Sequence, residues 1–208
     1  MEGVIRIMDG NERPDDIQRT GQARDDWEPF PGFRKLARKH GISKVVVIAT
    51  KDVHVADWVR LKCKYGCKKY GRSWCCPPET PSPEQTRALL AEYDKALLLK
   101  GSLVNLDFYR ENHQKRRKQV FGWKSAVALE RRLFLAGYYK AFALVPDSCG
   151  LCKECGYPES CKFPTDRRPS VESLSIDVFQ TLKNVGEEFR IAEDIKEEYN
   201  FYSIILLE

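Results

Sequence analysis

The chain has 208 residues, of which 42% are hydrophobic and 31% charged, as is ordinary for a globular protein. Its 35 basic and 30 acidic residues leave a net charge of only +5, which does not support nucleic acid as a partner. We find no signal-peptide pattern and no apolar run of roughly 18 residues or more, so no membrane contact is expected. We therefore expect a cytoplasmic protein, in which eight cysteines indicate metal or redox chemistry before disulfides.

The predicted elements form one domain after a polar arm. We expect residues 1–30 to be a flexible N-terminal arm and residues 31–208 to form a single cysteine-rich domain. The helix predicted after Ser82 has the clearest start signal, because Pro83 suits the first position and Gln85 completes a capping box. In chain order, the patterns predict a helix at 31–41, a strand at 43–50, a helix at 82–93, a strand at 95–103, a helix at 107–137, a strand at 140–146, a helix at 169–186 and a strand at 201–208.

Two parts of the domain, at about residues 43–103 and 140–208, repeat one order of elements. Each runs strand, cysteine block, prolines, helix and strand. We interpret them as pseudo-repeats in an α/β or α+β fold, in which helices cover a mixed sheet and the cysteine loops lie on one side. The two helices start with "PSPE" and "PSVE", which indicates an ancient duplication or simply reflects favourable helix-start chemistry.

The second cysteine block has the more specific spacing. Cys149, Cys152, Cys155 and Cys161 follow the pattern C-x2-C-x2-C-x5-C, which is close to the C-x2-C-x2-C-x3-C-P run of bacterial ferredoxins. Three evenly spaced thiolates can wrap three corners of a cuboid cluster, and the fourth arrives after a short excursion. Structural zinc usually takes two ligand pairs that are well separated in sequence. The spacing therefore favours an iron–sulfur cluster, with zinc as the alternative.

The first block, C-x3-C-x7-C-C-P-P, is less specific. Adjacent cysteines rarely bind one metal together, because their side chains diverge, so we expect a three-thiolate set of Cys63, Cys67 and one of the pair. We choose Cys76, because prolines follow it as they follow Cys161. Cys75 is then a neighbour, a substitute ligand or a buried small residue. Three thiolates would leave one iron of a [4Fe-4S] cluster open to water, a substrate or a sulfur atom. The alternative is a site that Cys75 or another side chain closes.

The surroundings of the two blocks suggest how they could be tuned. Helix starts at Ser82 and Ser170 would favour the negative charge of a thiolate-bound cluster. Tyr70 and Trp74 would shield the first cluster or serve as packing aromatics, and His54 is a conceivable extra ligand or an ordinary surface histidine. Nearby basic residues would act with the helix starts or form a solvated face: Lys62, Lys64, Lys68, Lys69, Arg72, Arg167 and Arg168.

Four segments together carry a family resemblance: "RLKCKYGC", "YGRSWCCPP", "CGLCKEC" and "CKFPTDRRPSVESLSIDV". Over roughly residues 62–178 the chain resembles a family of predicted metal-binding proteins, domain of unknown function 2284. The resemblance implies metal binding of the iron–sulfur kind and supports the same seven cysteines as ligands. The family usually has a small non-cysteine residue at Cys75 and glycine at Ser175. Cys75 should therefore not be an obligatory ligand, and the helix near Ser175 should differ slightly.

The leading functional prediction is an iron–sulfur protein that binds one or two [4Fe-4S] clusters and carries electrons or serves a redox enzyme. One alternative is a catalytic three-thiolate cluster whose open iron binds a substrate or sulfur atom. The other is a structural zinc-binding module. The expected partner is a redox protein or a small-molecule substrate, and the sequence decides neither enzymatic activity nor oligomeric state.

Overall fold

The computed structural model describes residues 27–104, 113–191 and 197–208, which include five α-helices and four strands. Most of the predicted N-terminal arm lies outside these residues. Short 3-10 turns cover Thr50–Asp52 and Glu172–Leu174. The elements in chain order are α1 (Phe33–Lys39), β1 (Ile42–Ala49), α2 (Asp57–Gly66), α3 (Pro83–Leu90), β2 (Lys95–Val104), α4 (His113–Leu135), β3 (Phe142–Leu144), α5 (Val178–Asn184) and β4 (Glu198–Leu206).

The strands form one sheet in the order β1-β2-β4-β3, with every neighbouring pair antiparallel. The α+β alternative is therefore confirmed. The expected mixed sheet is not seen among these strands, since parallel pairing in the described residues is limited to an isolated bridge between Val145 and Ser170. The connection through α2 and α3 explains why β1 and β2 are antiparallel. It brings the chain back to the end of the sheet at which β1 finishes, so that Lys95 at the start of β2 pairs with Ala49 at the end of β1.

Both faces of the sheet are covered, which explains the nearly continuous apolar runs of its strands. Leu97 and Leu99 point toward α1 and α4, where the buried Trp123 and Leu129 complete one core cluster. The alternate residues of β2, such as Leu98, point to the other face and pack with the side chains of α3 and α5. In the part of the chain that the structure describes, no helix is both long and apolar enough to cross a membrane.

The helix predicted over residues 169–186 is wrong in its first half. Its first residues form only the 3-10 turn Glu172–Leu174, which ends at Ser175 with a left-handed φ of 63°. A left-handed residue cannot continue an α-helix, so a new helix must start. α5 begins at Val178, and the side chain of its cap, Asp177, accepts a hydrogen bond from the Gln180 N–H.

Helix α2 was not predicted, although it carries Cys63. Of its ten residues only Val59 is buried, and the apolar side chains that recur at helical spacing, Trp58, Leu61 and Tyr65, are exposed. The long predicted helix over residues 107–137 is present as α4, and its expected start falls partly on residues 105–112, outside the described chain.

The sheet order agrees with the two predicted pseudo-repeats, because each repeat supplies one edge strand and one central strand. Helix α2 lies in the first repeat, and the second cysteine block has no described counterpart to it. The duplication stays a prediction.

Candidate metal centre

Three cysteines of the first block lie on the wall of one cavity. Cys63 belongs to the last turn of α2, Cys67 caps that helix and Cys76 follows in the loop before α3. A backbone hydrogen bond of 3.3 Å from the Cys67 N–H to the Cys63 carbonyl closes the helix end, and one of 3.2 Å from Cys76 to Ser73 folds the loop. The structure thus brings together the three predicted thiols.

The four cysteines of the second block lie in the long loop that follows β3, and all are half-buried. They are near one another: burial raises the pKa of Cys152, and the charges of Cys155, Cys149 and Cys161 raise it further. All eight cysteines of the chain are described, and all are free thiols, which excludes a disulfide framework in this structure. The two predicted ligand sets therefore exist as two groups of free thiols.

Cys75 lies between the two sets. Its side chain is buried in the same core cluster as Trp123, and its thiol donates a hydrogen bond to the Cys149 sulfur. This hydrogen bond raises the pKa of Cys75, as does burial, and it lowers the pKa of Cys149. Cys76 reaches the cavity, whereas Cys75 packs in the core. The arrangement agrees with Cys75 as a buried neighbour of the ligands, and the ligand roles themselves stay predictions.

Backbone N–H groups point at sulfur atoms in both sets. Cys67 accepts from the Lys69 N–H at 3.4 Å, and Cys161 accepts from the Phe163 N–H at 3.4 Å. Cys149 accepts a backbone hydrogen bond from Leu151, again two residues further on. Such donors stabilise a thiolate and orient it, as second-shell donors do around bound metals. The donor set therefore fits a thiolate-bound metal group.

Burial keeps several of these thiols protonated in the metal-free protein. It raises the pKa of Cys76 to about 11, although a hydrogen bond with the Ser73 side chain opposes the shift. Burial is also the largest cause of the raised pKa of Cys63. Metal binding must then displace protons, which makes it dependent on pH.

Trp74 joins the two cysteine loops. Its ring packs edge-on against Tyr157 with 5.2 Å between centroids, and its Nε1–H donates to the Glu159 carbonyl at 2.6 Å. Arg167 lies over the same ring at 5.6 Å. The Tyr157 hydroxyl donates back to Glu79 at 3.0 Å. Trp74 was expected to shield the first cluster or to pack, and the structure shows it packing between the loops.

The cavity beside the first set has a volume of about 460 Å³. Ser170 also lines this cavity. The helix start predicted at Ser170, beside the second cysteine set, is therefore a turn on the wall of the cavity beside the first set. Glu172 is open to the cavity, and the protein around it raises the pKa of its carboxyl by desolvation, to which the charge of Asp147 adds. No lysine or arginine among the described residues lines the cavity. Its aromatic wall comprises Tyr70, Phe179, Phe189, Tyr199, Phe201 and Tyr202.

The predicted basic residues divide into groups with different contacts. Arg168 forms a half-buried ion pair with Glu130. Lys62 and Lys64 lie over aromatic rings of α2. Four cations line an open depression that contains Cys155, and among the described residues none of the four has an ion-pair partner. We call them the basic rim: Lys68, Lys69, Arg72 and Lys153.

Within the described residues, no group of three or more histidine, cysteine, aspartate or glutamate side chains is arranged to hold a single metal ion. Tetrahedral zinc with Zn–S bonds of about 2.3 Å would need sulfurs roughly 3.8 Å apart. His54, a conceivable extra ligand, belongs to no such group. Its backbone instead bonds to α5, where the Asp177 N–H donates to the His54 carbonyl at 2.8 Å.

The family model described as predicted metal-binding protein (DUF2284) matches residues 46–207. The chain belongs to this family. The match extends beyond the predicted resemblance at both ends and includes all eight cysteines. The family description supports metal binding and leaves the metal open. No curated protein and no solved structure matches the chain significantly.

Proposed function

We propose that the protein is an iron–sulfur redox protein with two adjacent [4Fe-4S] sites. Cys149, Cys152, Cys155 and Cys161 would hold one cluster, and Cys63, Cys67 and Cys76 the other. The supporting observation is the pair of free-thiol sets, with backbone donors aimed at their sulfurs and a contact from Cys75 to Cys149 between them. Such clusters supply one-electron chemistry when bound. The protein groups fix the thiols, limit solvent and set the charge around them.

The direct test is the content of iron, zinc and acid-labile sulfide in protein purified without oxygen. Two clusters give about eight irons and eight sulfides per chain, and one cluster gives about four of each. Zinc without sulfide would contradict the proposal and favour the structural zinc module. A cytoplasmic location is part of the proposal, because reduced thiols must persist until metal binds.

A catalytic role is the second candidate, and the cavity beside the first set favours it. Three thiolates leave one iron of a [4Fe-4S] cluster without a protein ligand, and 460 Å³ is enough space for a small molecule. Cys63 and Cys67 line this cavity with Cys76, whereas no cysteine of the second set does. Imidazole added to the reduced protein should then change the electron paramagnetic resonance spectrum of one cluster. An unchanged spectrum at saturating imidazole would indicate a closed site.

For the partner, we propose an acidic electron-transfer protein that docks on the basic rim. The four cations of the basic rim outnumber the single described carboxylate, that of Glu154, which lines the depression beside Cys155. Charge complementarity of this kind accelerates association and makes it sensitive to salt. An acidic [2Fe-2S] ferredoxin is a suitable probe, and electron transfer from it should slow as ionic strength rises.

The variant Lys68→Glu/Arg72→Glu should slow this transfer by about tenfold or more and reduce its salt dependence. The matched control is Lys35→Glu/Lys39→Glu, which changes the net charge equally on the exposed side of α1. Equal losses in both variants would show a response to net charge alone and would exclude the rim as the docking surface.

A further inference from the structure

The cavity beside the first cysteine set has a wall that the thiols do not explain. Phe179 and Phe189 meet edge to face with their ring centroids 4.0 Å apart, and Phe179 remains 48% exposed. Phe201 forms another part of the wall. Exposed aromatic rings that converge on a concave space are typical of sites for small apolar or aromatic ligands. A cluster at the three thiols would fill the part beside them and leave the aromatic part for a ligand.

The charges around the cavity are acidic. Asp147 and Glu172 line it, and lysine and arginine are absent from its described wall. Arg60 acts on Cys63 electrostatically, but its guanidinium is engaged by the oxygens of Thr80 and Ser173. Thiolates of the first set would add further negative charge. An anion that entered this space would meet repulsion with no described cation on the wall to pair with.

We propose that the cavity binds a small aromatic molecule that is uncharged or cationic and that it excludes anions of the same size. The ring would pack against Phe179, Phe189 and Phe201, and a polar or cationic end would face Asp147 and Glu172. This inference rests on the proposed function in one respect, since it makes the molecule the ligand of the three-thiolate site.

Three probes that share one ring test the inference: benzylamine is cationic, benzyl alcohol uncharged and benzoate anionic. Their affinities are measured by saturation-transfer nuclear magnetic resonance on the anaerobically purified protein at mildly alkaline pH. Benzylamine and benzyl alcohol should each bind at least about tenfold more tightly than benzoate, because benzoate is more negative by one unit charge than benzyl alcohol and by two than benzylamine, and the site holds two carboxylates. Equal binding of all three, or tighter binding of benzoate, overturns the inference.

Matched variants identify the wall residues. Glu172→Gln/Asp147→Asn should raise the affinity for benzoate relative to benzylamine, and Phe179→Ala should weaken benzylamine and benzyl alcohol together. Glu154→Gln serves as the control, because Glu154 lines the depression of the basic rim. Unchanged discrimination in the double variant would refute the role of the two carboxylates.

The metal analysis separates the two possible failures. If about eight irons are present and none of the probes binds, the ligand inference fails while the proposed function stands. If the probes bind with the expected preference and the protein holds zinc without sulfide, the proposed function fails and the cavity remains a ligand site.

Discussion

The two cysteine sets use the same ligand chemistry in different surroundings. The first set is built at the end of a helix and includes the buried Cys76 on an aromatic, acidic cavity. The second occupies an irregular loop, and the basic rim lies beside its Cys155. The comparison shows that the first set lines an aromatic cavity, whereas basic side chains lie beside the second. Under the proposed function, electrons enter at the second set and are used at the first.

Single cysteine substitutions test this division most strongly. Cys76→Ser should empty the first site and Cys152→Ser the second, so that each loses about half of the iron. Cys75→Ser should keep most of the metal, because Cys75 lies in the core beside Cys149. The measurement is iron per chain after anaerobic purification. A loss of iron in Cys75→Ser as large as that in Cys76→Ser would make Cys75 a ligand.

The ion pair between Arg168 and Glu130 anchors the loop of the second cysteine set to α4, and a substitution can remove it separately. Glu130 is buried, and its carboxylate accepts from Arg168 Nε and from the Ala143 N–H, each at 2.7 Å. Arg168→Ala leaves this carboxylate without its cation and should lower the free energy of unfolding by about 3–5 kcal/mol. Metal should then leave the second set before the first during denaturation.

Arg131→Ala is the control for this anchor. Arg131 pairs with Asp166 at 2.6 Å, but its side chain is largely exposed. Loss of this exposed pair should cost about 1 kcal/mol or less. Equal costs in urea unfolding would show that the Glu130 pair has no special role.

The raised pKa of Cys76 predicts a pH effect that belongs to the first set. In the metal-free, reduced protein, the unfolded thiol ionises near pH 9.0, whereas the folded thiol keeps its proton up to about pH 11. The unfolded state therefore loses its proton first, and stability falls as pH rises through this window. The loss should be about 3 kcal/mol larger in the parent protein than in Cys76→Ala. Parallel stability curves from pH 9 to 11 would contradict the assignment.

A small effect is expected at the turn that forms part of the wall of the first site. Ser175→Gly should stabilise the protein by about 1 kcal/mol, because glycine adopts the left-handed conformation without strain. The Ser175 hydroxyl is buried, without a hydrogen-bond partner among the described residues, so its removal breaks no described bond. Asp147→Gly should show no such gain, since the Asp147 carboxylate accepts from the Ser148 N–H. Thermal unfolding measures both variants.

Strong local signals in the sequence predicted their elements correctly. The apolar runs predicted the four strands that the described residues form. The capping box at Ser82 is present, with the Gln85 N–H donating to the Ser82 hydroxyl at 3.2 Å. The similar start signal at Ser170 predicted a helix that does not form there, because Ser175 ends the turn after only a few residues. The prediction missed α2, although Trp58, Leu61 and Tyr65 recur at the helical spacing that could have indicated it. These side chains are exposed, and only Val59 of the helix is buried.

The grouping of the cysteines within each block could be predicted, because it depends on short spacings. The contact between Cys75 and Cys149 could not, since it depends on how the two loops meet in three dimensions. The cavity is another such case. Its wall combines Cys63, Pro146 and Phe201, which no local pattern connects.

Trp74 has a consequence for how metal is taken up. Because its indole binds the second loop at Glu159 and Tyr157, ordering either loop restricts the other. Metal binding at one site therefore reduces the conformational entropy that is still to be lost when metal binds at the other. Metal uptake should be positively cooperative between the two sites. Trp74→Ala should weaken this cooperativity, while the contacts of Cys75 with Cys149 and of Tyr157 with Glu79 remain. Thermodynamic linkage requires the same coupling in whichever order the sites are filled.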